Sequence, residues 1–366
     1  MIEFRPLQLE EKVQAFITDG TAATDGTGNS AAFEALALEV FDHQYQSVPL
    51  YRRFCQSREL GPHNVGGWRQ IPALPADAFK RDIFPSGPHL FLSSGTTGQQ
   101  PSRHELASLA TCKLSALTQF RRMVLPDGPG PMAVLVLGPT ATSHPNSSLG
   151  WMFSWCAQEF GDSRETFQPD LASALAWLVE RADSSSQPIL LLGISSAFTA
   201  LFDEMKKQRL RLRLPADSRL VDTGGRKGPA HVFSPSGMLK ACWSFLHIPA
   251  YMAVNEYGMT EMLSQFYDDA LAARVGGGLR PRSKVGPHWL AHTIVDPATL
   301  EPVKDGQTGI LKIFDLANWE TVSALQTLDL CVAIGRGFKL KGRAETGQSR
   351  GCSQLMGTIE DLGQAT

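Results

Sequence analysis

Phe91-Leu92-Ser93-Ser94-Gly95-Thr96-Thr97-Gly98 is the stretch on which the reading of this chain turns. Two apolar residues lead into six that carry almost no bulk, four hydroxyl side chains and two glycines. Glycine permits φ > 0 and close approach of the backbone to a ligand, while Ser and Thr supply rotatable donors. Successive N–H groups in such a turn form a concavity suited to an anion, and a polyphosphate is the occupant this predicts. The stretch is not a Walker A loop, because G-x-x-x-x-G-K-[ST] is absent and Gln99 follows Gly98. A flexible Ser/Gly/Thr linker is the plain alternative. The strand-like entry before it and the helix-like run Leu106 to Val124 after it favour the phosphate loop.

Working outward, Met132 to Gly138 (MAVLVLG) and Ile189 to Gly193 (ILLLG) are continuous apolar runs of strand length, expected as buried strands. Leu171 to Ala182 between them reads as an amphipathic helix, so strands alternate with helices and the fold class is α/β with a largely parallel sheet. A third apolar entry, Arg219-Leu220-Val221, runs into Asp222-Thr223-Gly224-Gly225-Arg226, where paired glycines let the backbone lie flat against a planar ligand or simply turn. Upstream, residues 17–30 read as a loop. Ala31 to Ser47 reads as a helix with Phe33, Leu36, Val40 and Phe41 on its buried face, ended by Pro49. The prolines of Ile71 to Lys80 predict an extended lead into the Ser93 loop. Beyond residue 280, Trp289 to Val295 and Gly309 to Phe314 lie between the turn signals Asp296-Pro297 and Asp305-Gly306, which predicts a small β-rich subdomain.

The 366 residues are 43% hydrophobic and 19% charged, enough apolar material for a full core in one large domain with an appendage, or in two domains. A net charge of −2, read as lacking a basic block, argues against nucleic acid or an anionic membrane as the main partner. No apolar run is long enough to insert in a membrane, and Met1-Ile2-Glu3-Phe4-Arg5 does not open like a signal peptide, so a cytoplasmic location is expected. The six cysteines are scattered, which predicts neither disulfides nor a structural zinc site.

The second informative stretch is Asn255-Glu256-Tyr257-Gly258-Met259-Thr260-Glu261. Tyr257 offers a face for a stacked base, Thr260 a hydroxyl for a phosphate, and Glu261 the hard oxygen that Mg²⁺ prefers. Alone, such a short motif is as readily a strand end and turn. Paired with the first stretch, it resembles the adenylate-forming superfamily of acyl-CoA synthetases and luciferase. SSGTTG (Ser93, Ser94, Gly95, Thr96, Thr97, Gly98) matches the phosphate loop, and YGMTE (Tyr257 to Glu261) matches the adenine and magnesium motif. Gly224 and Gly225 sit where the adenine-binding turn would fall. Thr327-Leu328-Asp329-Leu330 resembles the motif whose acid, here Asp329, takes the ribose hydroxyls, and Lys341-Gly342-Arg343 resembles the hinge to a C-terminal lid. Five matches in order are far more specific than any one.

Within the superfamily the chain is similar to the LuxE family, the acyl-protein synthetases (long-chain-fatty-acid–luciferin-component ligases), in its helical N-terminal region, its IPALPADAFK segment and its length. The resemblance implies segments 1–85 (helical N-terminal part of the core), 86–341 (adenylation core of layered α/β sheets with a small β-rich subdomain) and 342–366 (a truncated lid). It implies ATP and Mg²⁺, with Glu261 on the metal, and a carboxylic acid of the fatty type as substrate, with Thr260, Glu261 and Arg343 serving the chemistry. It gives Cys352, in Ser349-Arg350-Gly351-Cys352-Ser353, the role of acyl acceptor, a low-pKa thiol being favoured by the nearby Arg, and it implies an acyl-reductase or carrier-protein partner. An ordinary tail cysteine is the alternative. Departures from the pattern are the lysine missing after the phosphate loop (Gln99-Gln100-Pro101-Ser102-Arg103) and the missing lid lysine. Lys339, Lys341, Arg343 and Arg103 are candidate stand-ins. His144 and Trp151 are expected near the acyl group, with Met152, Phe153 and Trp155 lining its pocket, or else as a solvated loop and plain core. Transfer to CoA or a carrier protein, as in phenylacetate-CoA ligase, and a catalytically degenerate nucleotide-binding homologue are the alternative functions.

Overall fold

The computed structural model describes residues 6–19, 28, 30–81, 87–93, 100–162, 170–224, 232–344 and 355–358. The chain divides into two compact units. The first comprises Met1–Thr118, Met259–Phe266 and Ser283–Thr366, and the second Gln119–Gly258 and Tyr267–Arg282.

Three helices open the first unit: α1 (Pro6–Thr18), α2 (Ala31–Ser47) and α3 (Pro49–Gln56). Ser30 caps α2, its Oγ accepting the Phe33 N–H at 3.1 Å, and Pro49 stands at N1 of α3, where a missing N–H costs nothing. The expected face of α2 is buried, and Phe33 packs edge-on against Trp68 and Phe314. Next come β1 (Leu74–Pro75) and a 3₁₀ turn at Ala76–Lys80. Here the expected extended lead is only half right: Pro72 and Pro75 hold the residues before them extended but place no such restriction on Ala76 onward. Strands β2 (His89–Leu92) and β3 (Arg103–Leu106) pair antiparallel, with Leu92 opposite Arg103. Helix α4 (Ala110–Val124) starts later than its apolar pattern suggested, because Leu106 is taken into the hairpin opposite His89.

The second unit holds the parallel sheet. β4 (Ala133–Leu137), α5 (Ser148–Phe160), α6 (Leu171–Ser184), β5 (Ile189–Ile194), α7 (Ser195–Lys207), β6 (Arg219–Thr223), α8 (Pro235–Leu246) and β7 (Ala253–Tyr257) follow one another. β4 pairs parallel with β5, β5 with β6 and β6 with β7. Leu190, Leu191 and Leu192 are fully buried, as expected of a strand covered on both faces. A charge closes one end of this core: fully buried Arg219 donates to Val124 O at 2.7 Å and forks onto both oxygens of Asp127 at 2.8 and 2.9 Å. One sequence reading needs correcting. Lys206, Lys207, Arg209, Arg211 and Arg213 are all exposed and form a local basic run that the near-zero net charge conceals, because acidic residues elsewhere cancel it.

β8 (Phe266–Asp268) and α9 (Ala270–Val275) precede the return to the first unit. There β9 (Lys284–Val285), β10 (Leu290–Val295), β11 (Thr308–Asp315), β12 (Ala324–Ile334) and β13 (Gly337–Arg343) pair antiparallel in the order β10-β11-β12-β13-β9, and β1 adds parallel to β12. This is the β-rich part expected beyond residue 280. No helix among the described residues is long and apolar enough to cross a membrane.

Candidate active site

The two informative stretches meet in the first unit through the side chains beside them. Just beyond the β2–β3 pairing, Ser93 N–H donates to Ser102 O at 3.0 Å and Ser93 Oγ accepts from Ser102 N at 2.8 Å. Ser94 to Gly98 lie outside the described residues. The Ser102 side chain hydrogen-bonds Glu261, and the charge of Arg343 also acts on that carboxyl. Burial raises the Glu261 pKa above the usual carboxylate range, while Ser102 and Arg343 pull it back toward the charged form. Asp329 stands directly opposite Arg343 in the β12–β13 ladder, and its N–H donates to Thr327 Oγ1 at 3.1 Å. Ser93, Thr260, Glu261, Asp329 and Arg343, spread over 251 residues of sequence (343 − 93 + 1), thus belong to one unit.

Residues that the sequence reading did not single out hold this arrangement. His104, fully buried on β3, has Nδ1 2.8 Å from Thr260 O, and buried Asn318 donates to Glu261 O at 2.9 Å. Two residues on, Leu263 and Ser264 donate their N–H groups to Asp315 Oδ2 at 2.9 Å each, and Ser264 Oγ donates to Asp315 Oδ1 at 2.6 Å. Burial lifts Asp315 to about 6, but with these donors it is ionised at neutral pH. No motif marks His104, Asn318 or Asp315, because their role depends on which strand ends adjoin.

Asp77, Lys80, Arg81, Gln100 and Met356 line a cavity of about 520 Å³ in the same unit. Of the expected stand-in cations, Arg103 pairs with Glu105 at 2.9 Å, Lys339 and Lys341 point to solvent, and Arg343 acts on Glu261. Lys80, bridged to Asp77 at 2.9 Å, was not among them.

The second unit carries the other expected residues. Gly224 follows the carboxyl end of β6 with φ +88°, a conformation open to glycine, and a Cβ there would meet nothing within 4 Å. Ser195 Oγ donates to Asp222 Oδ2 at 2.7 Å and lies 3.1 Å from Gly224 O, while Asn255 Nδ2 donates to Asp222 O at 3.1 Å and Thr223 Oγ1 bonds Glu256. Tyr257 ends β7 and Gly258 follows it, so this cluster sits at the carboxyl ends of parallel strands, where open α/β sheets bind ligands. Gly225 lies outside the described residues. His144 is exposed and bonded to Ser143 Oγ at 2.9 Å. Half-buried Trp151 donates to Pro145 O at 2.8 Å, and Met152, Phe153 and Trp155 are buried. Cys352 also lies outside the described residues. The other five cysteines are buried, and where burial acts on a thiol it raises the pKa, making these poor nucleophiles.

In the first unit a buried carboxyl, Glu261, carries a hydroxyl contact and feels the charge of Arg343, and in the second a positive-φ glycine, Gly224, follows a parallel strand. The structure is similar to that of 2-hydroxyisobutyryl-CoA ligase in an open conformation with 2-HIB-AMP and CoA, at 14% identity and a TM-score of 0.61 over 87% of this chain and 71% of that one. The same ligase in its postadenylation state with 2-HIB-AMP matches at 14% identity and a TM-score of 0.61, over 87% and 69%. Its thioesterification state matches at 15% identity and 0.59, over 88% and 70%. No curated protein matches the sequence. The family model described as acyl-protein synthetase, LuxE, matches residues 22–359, and the chain belongs to that family. It is an ATP-dependent, carboxylate-adenylating ligase with acyl-transfer activity.

Proposed function

We propose that this enzyme joins a fatty acid to ATP as the acyl-adenylate and passes the acyl group to Cys352, from which a partner protein takes it. A carboxylate oxygen attacks the α-phosphorus and pyrophosphate leaves. The Cys352 thiolate then attacks the acyl carbonyl, forming a thioester and releasing AMP. Positioning and charge neutralisation carry the first step, with little need for a side-chain acid or base. Glu261, buried beside a hydroxyl and facing Arg343, suits a Mg²⁺ that draws most of its ligands from phosphate and water, and the metal would neutralise charge on the phosphates. In this reading residues 86–341 form the adenylation core, after a helical segment 1–85, with 342–366 as the moving part. Ser93 to Gly98 and Thr260 hold phosphate, Gly224, Gly225, Tyr257 and Gly258 the adenine, Asp329 the ribose, and His144 and Trp151 lie toward the acid.

The observation that carries the thiol assignment is the 520 Å³ cavity. It is lined by Gln100, two residues beyond Gly98, and by Met356, four residues beyond Cys352, so the C-terminal segment reaches the base of the phosphate loop. The test is intact-protein mass spectrometry after incubation with Mg²⁺-ATP and a series of fatty acids, on wild type and Cys352→Ser. A hydroxylamine-labile acyl adduct on wild type alone is expected. Pyrophosphate release with no adduct on either protein would remove Cys352 from the mechanism and leave CoA or a carrier protein as the acceptor.

A further inference from the structure

The two peptide carbonyls that flank Glu261 are both gripped by buried side chains. His104 Nδ1 lies 2.8 Å from Thr260 O, and Asn318 Nδ2 donates to Glu261 O at 2.9 Å and to Val322 O at 2.8 Å. Between these grips stands Thr321, with Oγ1 3.0 Å from His104 Nε2 and 2.7 Å from Asn318 Oδ1. His104 and Asn318 are fully buried and Thr321 nearly so, and Phe79 packs edge-on against the imidazole with ring centroids 5.3 Å apart.

Proton accounting makes the arrangement specific. Thr260 O can only accept, so Nδ1 must carry a proton. Both Asn318 amide hydrogens go to carbonyls, which turns Oδ1 toward Thr321 and fixes the orientation of that amide. A neutral His104 is then the Nδ1–H tautomer, and its bare Nε2 and Asn318 Oδ1 face the single hydroxyl proton of Thr321 from either side. Carbonyls on both sides of one residue fix its backbone torsions, and with them the direction of its side chain. His104 also lies on β3, the strand that leaves the phosphate loop.

From this geometry we infer that His104, Thr321 and Asn318 are positioning residues that clamp the Glu261 backbone and tie its aim to the hairpin carrying the phosphate loop. The clamp rests on the adenylation reading for its catalytic consequence, but its mechanical part does not.

The test uses the full-length protein and two near-isosteric substitutions. In His104→Asn the amide nitrogen falls near the place of Nδ1 and keeps the bond to Thr260 O. In His104→Gln it falls near Nε2 and keeps only the contact with Thr321. Hydrogen exchange of the amides of residues 261–264 should stay close to wild type in His104→Asn and rise about ten-fold in His104→Gln, the scale of one lost buried hydrogen bond. Thr321→Val should raise it less than His104→Gln does, and Thr321→Ser not at all. In pyrophosphate release, His104→Gln should lower kcat and raise the Mg²⁺ concentration needed for half-maximal rate, with KM for the acid unchanged, while His104→Asn retains most of the rate. Equal exchange at 261–264 in His104→Asn and His104→Gln overturns the clamp, as does loss of rate in both that only follows their Tm. A wild type that releases no pyrophosphate with any acid would instead remove the adenylation reading, and the exchange comparison would still decide the clamp.

Discussion

The Glu261 segment of the first unit and the Gly224–Tyr257 edge of the second are built on different principles. In the second, strands β5, β6 and β7 run parallel in register, and Gly224 and Tyr257 stand at or just past their carboxyl ends because the ladder stops there. Backbone pairing and apolar burial do most of the positioning, and Ser195, Asp222 and Asn255 refine it. In the first, Thr260 to Ser264 form no strand. Their carbonyls and N–H groups are held by His104 on β3 and by Asp315 and Asn318 of one turn at the end of β11, two other places in the chain. A ladder tolerates the loss of one side chain better than a segment suspended from a few buried polar groups, because each of those groups leaves an unsatisfied partner when removed.

Three measurements would break or sharpen that contrast. The largest effect is expected on catalysis in the first unit. Glu261→Gln keeps the side-chain shape and removes the charge, and it should lower the rate of acid-dependent pyrophosphate release by roughly 10²-fold or more, the scale for losing one group that meets transition-state charge. Thermal unfolding should move little. A loss below about ten-fold would mean that Glu261 does not face the reacting phosphates.

Arg219→Ala probes the second unit at the amino end of β6, away from the carboxyl ends where Gly224 and Tyr257 stand. Removing a buried guanidinium strands Val124 O and Asp127, at a cost of about 3 kcal/mol in urea unfolding. Exchange at residues 261–264 should be unaffected. A change there would show that the polar segment depends on the parallel sheet as well as on its own clamps.

The third effect is one of pH. Burial holds His104 down at about 4, against 6.5 when unfolded, so the unfolded chain takes up the proton first as pH falls. Its contribution to stability is present above pH 6.5 and is lost progressively toward pH 4. The size is bounded at about 3 kcal/mol, from roughly 2.5 units at 1.36 kcal/mol each. Asp315 has the opposite sign: raised from 3.8 to about 6, it contributes stability at low pH that is lost as pH rises through that window. The two therefore oppose each other in wild type. His104→Asn removes one of them, so wild type should lose stability relative to that variant between pH 6.5 and 4, measured by urea unfolding at each pH. A pH-independent difference would mean that His104 titrates alike in both states.

Much of the second unit was legible because its signals are local. MAVLVLG and ILLLG are buried strands on composition alone, and the observed strands Ala133–Leu137 and Ile189–Ile194 fall on them. Misreadings came where a neighbour in space overrides a local pattern. Leu106 looks like the first residue of a helix and is the last of a strand, because His89 pairs with it. Ala76 to Lys80 look extended and form a 3₁₀ turn.

By itself the sequence determined the α/β class, the order of the motifs, and the family to which they belong, since each is written in short runs whose residue types suffice for their chemistry. Tertiary structure alone decided that Ser102 and Arg343 both act on Glu261, that Asp329 faces Arg343, and that His104 and Asn318 grip the carbonyls on either side of Glu261. Those relations join residues up to 159 positions apart (261 − 102), and a buried hydrogen bond leaves no periodicity in the chain to announce its partner.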